Sequence, residues 1–116
     1  MVIVEDEPML AFVFKIILEE AGVQVVGPAN SLRSAFTLFE STEFDCAIMD
    51  VRLNNETVFT LAEQLRDKEI PFAFITGNSF KTLPAEFRHQ PMLLKPVNSS
   101  QIVSIIADMT KPGRQT

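Results

Sequence analysis

The sequence predicts an α/β fold: one domain with a doubly wound, five-stranded parallel sheet and helices on both faces. Three observations predict it. Short continuous apolar runs, such as those at 46–49 and 72–75, have the length and composition of strands covered on both sides. Segments with apolar residues at helical spacing separate these runs. Strands alternating with helices form a parallel sheet with right-handed crossovers. Four runs also end in polar side chains: Glu5-Asp6, Asp50, Thr76 and Lys95. In open α/β sheets ligands bind beyond the carboxyl ends of the strands, so these four ends converge on one edge.

The first strand is the run at 1–4, which leads into Glu5-Asp6-Glu7. Pro8 suits the first turn of a helix, and three acids at that start favour its dipole. This helix is expected to run to about Ala21 and stop at Gly22, with Leu10, Val13, Phe14, Ile17 and Ala21 as its core stripe. Met9, Phe12 and Ile16 form a second apolar stripe on another side. The second strand is expected at 23–26, closed by Gly27-Pro28. Ser31 can cap a second helix whose Leu32, Ala35, Phe36 and Phe39 face inward. The third strand, 46–49, ends on Asp50, which is placed to meet solvent and a ligand. Asn54-Asn55 is expected to open a third helix running to about Asp67, with Val58, Leu61, Ala62 and Leu65 at core spacing. The fourth strand, 72–75, ends on Thr76-Gly77. Pro84 can only start a helix, so at most about two turns fit around Ala85-Glu86-Phe87. The fourth helix is therefore expected to be short or poorly ordered. The fifth strand, Met92–Leu94, ends on Lys95-Pro96. Ser99 or Ser100 is expected to cap a last helix carrying Ile102, Ile105, Ile106 and Met109. The domain is expected over 1–110, with 111–116 as a flexible tail.

Composition narrows the function. A net charge of −5 and a pI near 4.8 weigh against nonspecific nucleic-acid binding, which needs a basic face. The longest apolar run, 9–14, is far too short to span a membrane. Acids stand where a signal peptide would carry Lys or Arg, and a cytoplasmic location is expected. A single cysteine excludes an internal disulfide. Cys46 reads as a small buried hydrophobe and His89 as a solvated loop side chain.

The polar strand ends carry the chemistry. Two carboxylates about 4 Å apart repel by roughly 4 kcal/mol at an effective dielectric of 20. They share a site if one stays protonated or a cation lies between them. Several carboxylates with room for water suit Mg²⁺, or Mn²⁺. A carboxylate nucleophile, a hard cation, the Lys95 ammonium and the Thr76 hydroxyl are what phosphoryl transfer to an aspartate needs.

The motifs Ile3-Val4-Glu5-Asp6-Glu7-Pro8, Met49-Asp50, Ile75-Thr76-Gly77 and Leu94-Lys95-Pro96, in this order and spacing, resemble the receiver domain of two-component response regulators. The resemblance covers almost the whole chain. It implies a flavodoxin-like strand order of 2-1-3-4-5. It makes Asp50 the phosphoacceptor and implies that Asp6 binds Mg²⁺ directly. Glu5 would do so directly or through water, and the Arg52 backbone carbonyl completes the protein ligands. Thr76 and Lys95 would hold the phosphoryl oxygens, and the Lys95-Pro96 peptide would be cis. Arg52 and Asn78 would flank the path of attacking water and tune the phosphoaspartate lifetime. The implied partners are a sensor histidine kinase or phosphotransfer protein and an unknown downstream protein, with the chain a monomer or weak dimer. Met9, Phe12 and Ile16 would dock the kinase; the alternative is that neighbouring helices cover them.

A closer resemblance, on Leu53, Glu56, Val58, Phe59, Pro71-Phe72-Ala73-Phe74 and Pro84-Ala85-Glu86-Phe87-Arg88, is to the stand-alone receivers that pair with HWE-type kinases. Many of those read Phe-Ala-Thr-Gly at the fourth strand end, where this chain has Phe74-Ile75-Thr76-Gly77. Receivers often carry Tyr or Phe three residues before the lysine as a rotamer switch. Here Met92 stands in that place, while Gly77 keeps space beside Thr76. The expected function is a stand-alone signalling switch or phosphate shuttle rather than an enzyme, because the chain stops just after the last helix. The alternative is a receiver-like interaction module working without phosphorylation. A haloacid-dehalogenase-like phosphatase would want an Asp where Arg52 stands. A flavin domain would want a Ser/Thr/Gly-rich loop where Glu5-Asp6-Glu7 stands.

Overall fold

The computed structural model describes residues 1–77 and 83–110. The chain runs β1 (Val2–Val4), α1 (Pro8–Glu20), β2 (Val26–Ala29), α2 (Leu32–Ser41), β3 (Ala47–Asp50), β4 (Arg52–Leu53), β5 (Glu56–Thr57), α3 (Phe59–Asp67), β6 (Phe72–Thr76), a 3-10 turn (Ala85–Phe87), β7 (Met92–Leu94) and α4 (Ser99–Thr110). The main sheet is parallel with order β2-β1-β3-β6-β7. Leaving out the small β4–β5 hairpin, this is the expected 2-1-3-4-5. β1, β3 and β6 are buried along their whole length, which is why their sequences are unbroken apolar runs rather than alternating ones.

Strand periodicity divides the core in two. Val2, Val4, Ala47, Met49, Phe72 and Phe74 pack on one face with α2 and α3. Ile3, Ile48, Ala73, Ile75 and Leu93 pack on the other with α1 and α4. Phe87, in the 3-10 turn, closes the first core. Its ring lies 5.8, 6.2 and 5.7 Å from those of Phe59, Phe72 and Phe74. Such pairs contribute about 0.5–1.5 kcal/mol each beyond their buried area. Cys46 is buried in the second core, and burial, aided by Asp45, pushes its thiol up to about 12. Among the described residues no helix is long and apolar enough to cross a membrane.

Several expectations about individual elements need correction. In α1 the buried residues are Ala11, Phe14 and Leu18, flanked by Leu10 and Ile17, while Val13 and Ala21 are exposed. The stripe turns this way because α1 packs against α4 as well as the sheet. The second strand begins at Val26 and runs through Gly27-Pro28 rather than stopping there. Val23 instead donates its N–H to Leu18 at the end of α1. β2 is an edge strand, where proline's missing N–H is tolerated. Gly27 has φ +95°, and a Cβ there would meet the Ala29 nitrogen at 2.9 Å, so only glycine fits.

Asn54-Asn55 does not open α3. Asn54 takes φ +58°, a left-handed conformation that Asn tolerates and that a helix start does not use. The chain turns back so that Arg52 faces Thr57 and Leu53 faces Glu56, and α3 begins at Phe59. Ser99 and Ser100 lie inside α4, not at its cap. Asn98 caps it: Asn98 Oδ1 accepts the Gln101 N–H at 2.9 Å, and Gln101 Oε1 accepts the Asn98 N–H at 3.1 Å. This is a reciprocal capping box. Ser31 caps α2 as expected, with Ser34 as its partner. Thr76 belongs to β6. Among the described residues of the fourth-helix segment, a 3-10 turn spans Ala85–Phe87. The expected tail at 111–116 lies outside the described residues, as does Asn78.

Candidate functional site

The same periodicity that splits the core builds the site. Glu5 follows Ile3 by two residues, Asp50 follows Ile48, and Lys95 follows Leu93, so all three continue one face of the sheet. Val4 pairs with Met49, which sets Glu5 beside Asp50. Lys95 donates its backbone N–H to the Thr76 carbonyl at 2.9 Å, which holds it across the end of β6. The Lys95-Pro96 peptide is cis.

Asp50 is buried, and both its oxygens have donors. Lys95 Nζ lies 2.9 Å from Oδ2, and the Arg52 N–H lies 3.3 Å from Oδ1. Lys95 Nζ also lies 3.6 Å from Glu5 Oε1 and 3.9 Å from Glu7 Oε1. Burial works against the lysine's charge. The hydrogen bond and charge of Asp50, with the charges of Glu5 and Glu7, outweigh it and raise its pKa.

Glu5 is 1% exposed. Its Oε2 accepts the Glu7 N–H at 3.1 Å, while Oε1 has no hydrogen-bond partner among the described residues. Burial first, and then the neighbouring Asp50 charge, push its carboxyl up to about 8. Asp6 is half-buried, and its Oδ2 accepts the Asn54 N–H at 2.7 Å. The left-handed turn that displaced the start of α3 therefore ties the β4–β5 hairpin to this acid.

One oxygen each from Glu5, Asp6 and Asp50 lie within 4.8 Å of one another. A buried carboxylate oxygen without a hydrogen bond, beside two further carboxylates, is the donor set of a hard divalent cation. The residues fit Mg²⁺.

A cleft of about 240 Å³ opens at this edge, lined by Asp50, Arg52, Thr57, Phe59, Thr76 and Lys95 among others. Thr76 is buried at its wall. A larger hollow of about 690 Å³, at the opposite end of the strands, holds the Met1 ammonium 3.9 Å from Asp45, but its acids, Glu43 and Asp45, are both exposed. Convergent chemistry rather than volume marks the smaller cleft. Gly77 is exposed, and a Cβ there would meet nothing within 4 Å.

Thr57 and Phe59 also line this cleft and Asn54 holds Asp6, although no motif or spacing in the sequence marks them. Glu7 stood in the acidic run and received no role. The visible signal for Glu7 was its place beside two acids that face the site. Met9, Phe12 and Ile16 lie on α1 just beyond the acids and are 76%, 60% and 39% exposed.

The response regulator receiver domain family matches residues 1–107. SdrG from Sphingomonas melonis Fr1, solved in solution, is 34% identical; the match covers 93% of this chain and 92% of that chain, with a TM-score of 0.82. The BeF3-activated conformation of SdrG from Pseudomonas melonis Fr1 is also 34% identical, with 91% of each chain covered and a TM-score of 0.77. Among curated proteins, the transcriptional regulatory protein PdtaR of Mycobacterium tuberculosis is 29% identical over 108 residues, which are 90% of this chain and 53% of PdtaR. The chain spans about half the length of the curated relatives it matches.

Proposed function

We propose that this chain, which belongs to the response regulator receiver domain family, accepts a phosphoryl group on Asp50 and acts as a signalling switch or phosphate shuttle. The observation that carries this reading is Asp50 itself. It ends a central strand in an open cleft, with a lysine ammonium at 2.9 Å and two more carboxylates beside it. The proposed donor is a phosphohistidine on a sensor histidine kinase or phosphotransfer protein. An Asp50 oxygen attacks phosphorus in line; the O–P bond forms as the P–N bond breaks, and the electron pair stays on the imidazole nitrogen. Lys95, already at Oδ2, moves its ammonium to a phosphoryl oxygen, and Thr76 offers its hydroxyl to another. Asp6, Asp50, Glu5 and the Arg52 carbonyl would hold Mg²⁺ or Mn²⁺. When bound, the cation supplies positive charge that offsets the charge on the transferring group. The chain catalyses only its own phosphorylation and dephosphorylation, and its proposed location is the cytoplasm. The test is acetyl phosphate with and without Mg²⁺, read by intact mass. One added phosphoryl group that EDTA prevents is expected; no addition under either condition overturns the reading.

The exposed stripe of α1 is the proposed kinase contact, and its exposure supports that use over cover by neighbouring helices. By the resemblance, the kinase is of the HWE type. Phe12→Ala and Ile16→Ala should slow transfer from the kinase about tenfold, as expected for about 1.4 kcal/mol lost from an interface, and leave labelling by acetyl phosphate unchanged. Equal slowing with both donors would reject a docking role.

Arg52 is exposed at the cleft wall, while its backbone N–H holds Asp50. Its side chain is proposed to tune the lifetime of the phosphoaspartate, together with Asn78. Arg52→Ala should change the dephosphorylation half-life several-fold while leaving the backbone contact in place. An unchanged half-life in both Arg52→Ala and Asn78→Ala would reject the tuning role.

A further inference from the structure

We infer that Phe59 transmits the state of the cleft to the turn at Ala85–Phe87 through a ring stack; the inference rests on the reading of Asp50 above. Phe59 is the first residue of α3 and is half-buried. One side of it lines the cleft with Asp50, Thr57 and Thr76. It also stacks on Phe87, with centroids 5.8 Å apart and planes 15° from parallel. Phe87 meets Phe72 and Phe74 edge-on. Of the described rings around Phe87, Phe59 is the one that lines the cleft. The pleat of β6 puts Phe72, Phe74 and Thr76 on the same face, so the Thr76 hydroxyl and the ring cluster share one side of the sheet.

The turn is anchored by the buried Phe87 ring and by short-range hydrogen bonds. Phe87 donates its N–H to Pro84 at 3.0 Å, and the Arg88 Nε donates to the Leu83 carbonyl at 3.2 Å. From the helix side, Arg66 lies 5.5 Å over the Phe87 ring and 3.6 Å from Glu86. A phosphoryl group on Asp50 brings negative charge into a cleft walled partly by an aromatic ring. The negative face of that ring repels an anion, and its edge attracts one. Phe59 therefore reorients when Asp50 is charged with phosphate, and Phe87 follows or loses its stacked partner. Ala85, Glu86 and Arg88 are exposed, so the movement reaches solvent as a changed surface. Met92, paired with Phe74 across the sheet, has no ring and takes no part in the stack.

The experiment is NMR on the protein with Mg²⁺ and beryllofluoride. In the wild type, amides of both the cleft (Val51, Gly77) and the turn (Ala85 to Arg88) should shift, and the ring contact between Phe59 and Phe87 should change. At saturating beryllofluoride, Phe59→Leu should cut the turn shifts by half or more, and Phe59→Tyr should restore them. A purely structural Phe59 would lower the melting temperature in Phe59→Leu and leave the turn shifts intact, which overturns the inference. A wild-type cleft that responds while the turn and the ring contact stay fixed also overturns it. A wild-type cleft that does not respond overturns the Asp50 reading and this inference together.

Discussion

Asp50→Asn should reduce phosphoryl labelling to background. The carboxylate is the nucleophile, and an amide oxygen of nearly the same shape carries no negative charge with which to attack phosphorus. The fold should survive. The loss of one buried negative charge relieves Glu5, whose raised pKa owes its second-largest part to Asp50. Lys95 keeps Glu5 at 3.6 Å as a partner. Glu5 in the variant should titrate lower than in the wild type. Intact-mass analysis after acetyl phosphate reads the first effect, and thermal melting checks that the variant is folded. Equal labelling of the two proteins would remove Asp50 from its role.

The second large effect is a reversal of pH dependence by Mg²⁺. Burial, and then the Asp50 charge, push the Glu5 carboxyl from its ordinary value of 4.5 up to about 8. Between these values the folded chain holds a proton that the unfolded chain has released. Stability contributed by this group therefore falls as pH rises from about 4.5 to about 8 and then levels off. Mg²⁺ binds the deprotonated carboxylate, so its affinity should climb through the same window, with protons released on binding near neutral pH. Melting temperatures should decline with pH in metal-free protein, and Mg²⁺ should raise them more at pH 8 than at pH 6. Glu5→Gln should flatten both trends. Mg²⁺ affinity that stays constant from about pH 6 to about pH 8 would exclude Glu5 from the cation site.

The sheet and the charged half of the site were legible because each follows from a local pattern. A carboxylate is costly inside a buried strand unless it is paired, so Asp50 marks the end of the apolar run, where Lys95 and the Arg52 N–H meet it. Periodicity then carries Glu5 and Lys95 to the same side. What was not legible depended on backbone conformation or on distant neighbours. Nothing in the spacing around Asn54 distinguishes a left-handed residue from a helix start, so the β4–β5 hairpin was read as part of α3. Gly27-Pro28 reads as a stop by composition, yet an edge strand accommodates it. The capping pair Asn98 and Gln101 was visible as Asn-x-x-Gln, and the adjacent serines drew attention from it. Phe59 and Phe87 are far apart in sequence and meet only once α3 and the turn are folded onto β6.

The burial of Cys46 has a practical consequence for watching this protein at work. Thiol reagents attack the thiolate. A sulfhydryl enclosed in the core and held near 12 offers them almost none at neutral pH. The native protein is thus silent toward maleimide dyes without removal of its single cysteine. A cysteine introduced at exposed Ala85 would take one fluorophore at one known position, and the sequence behind the core would stay as it is.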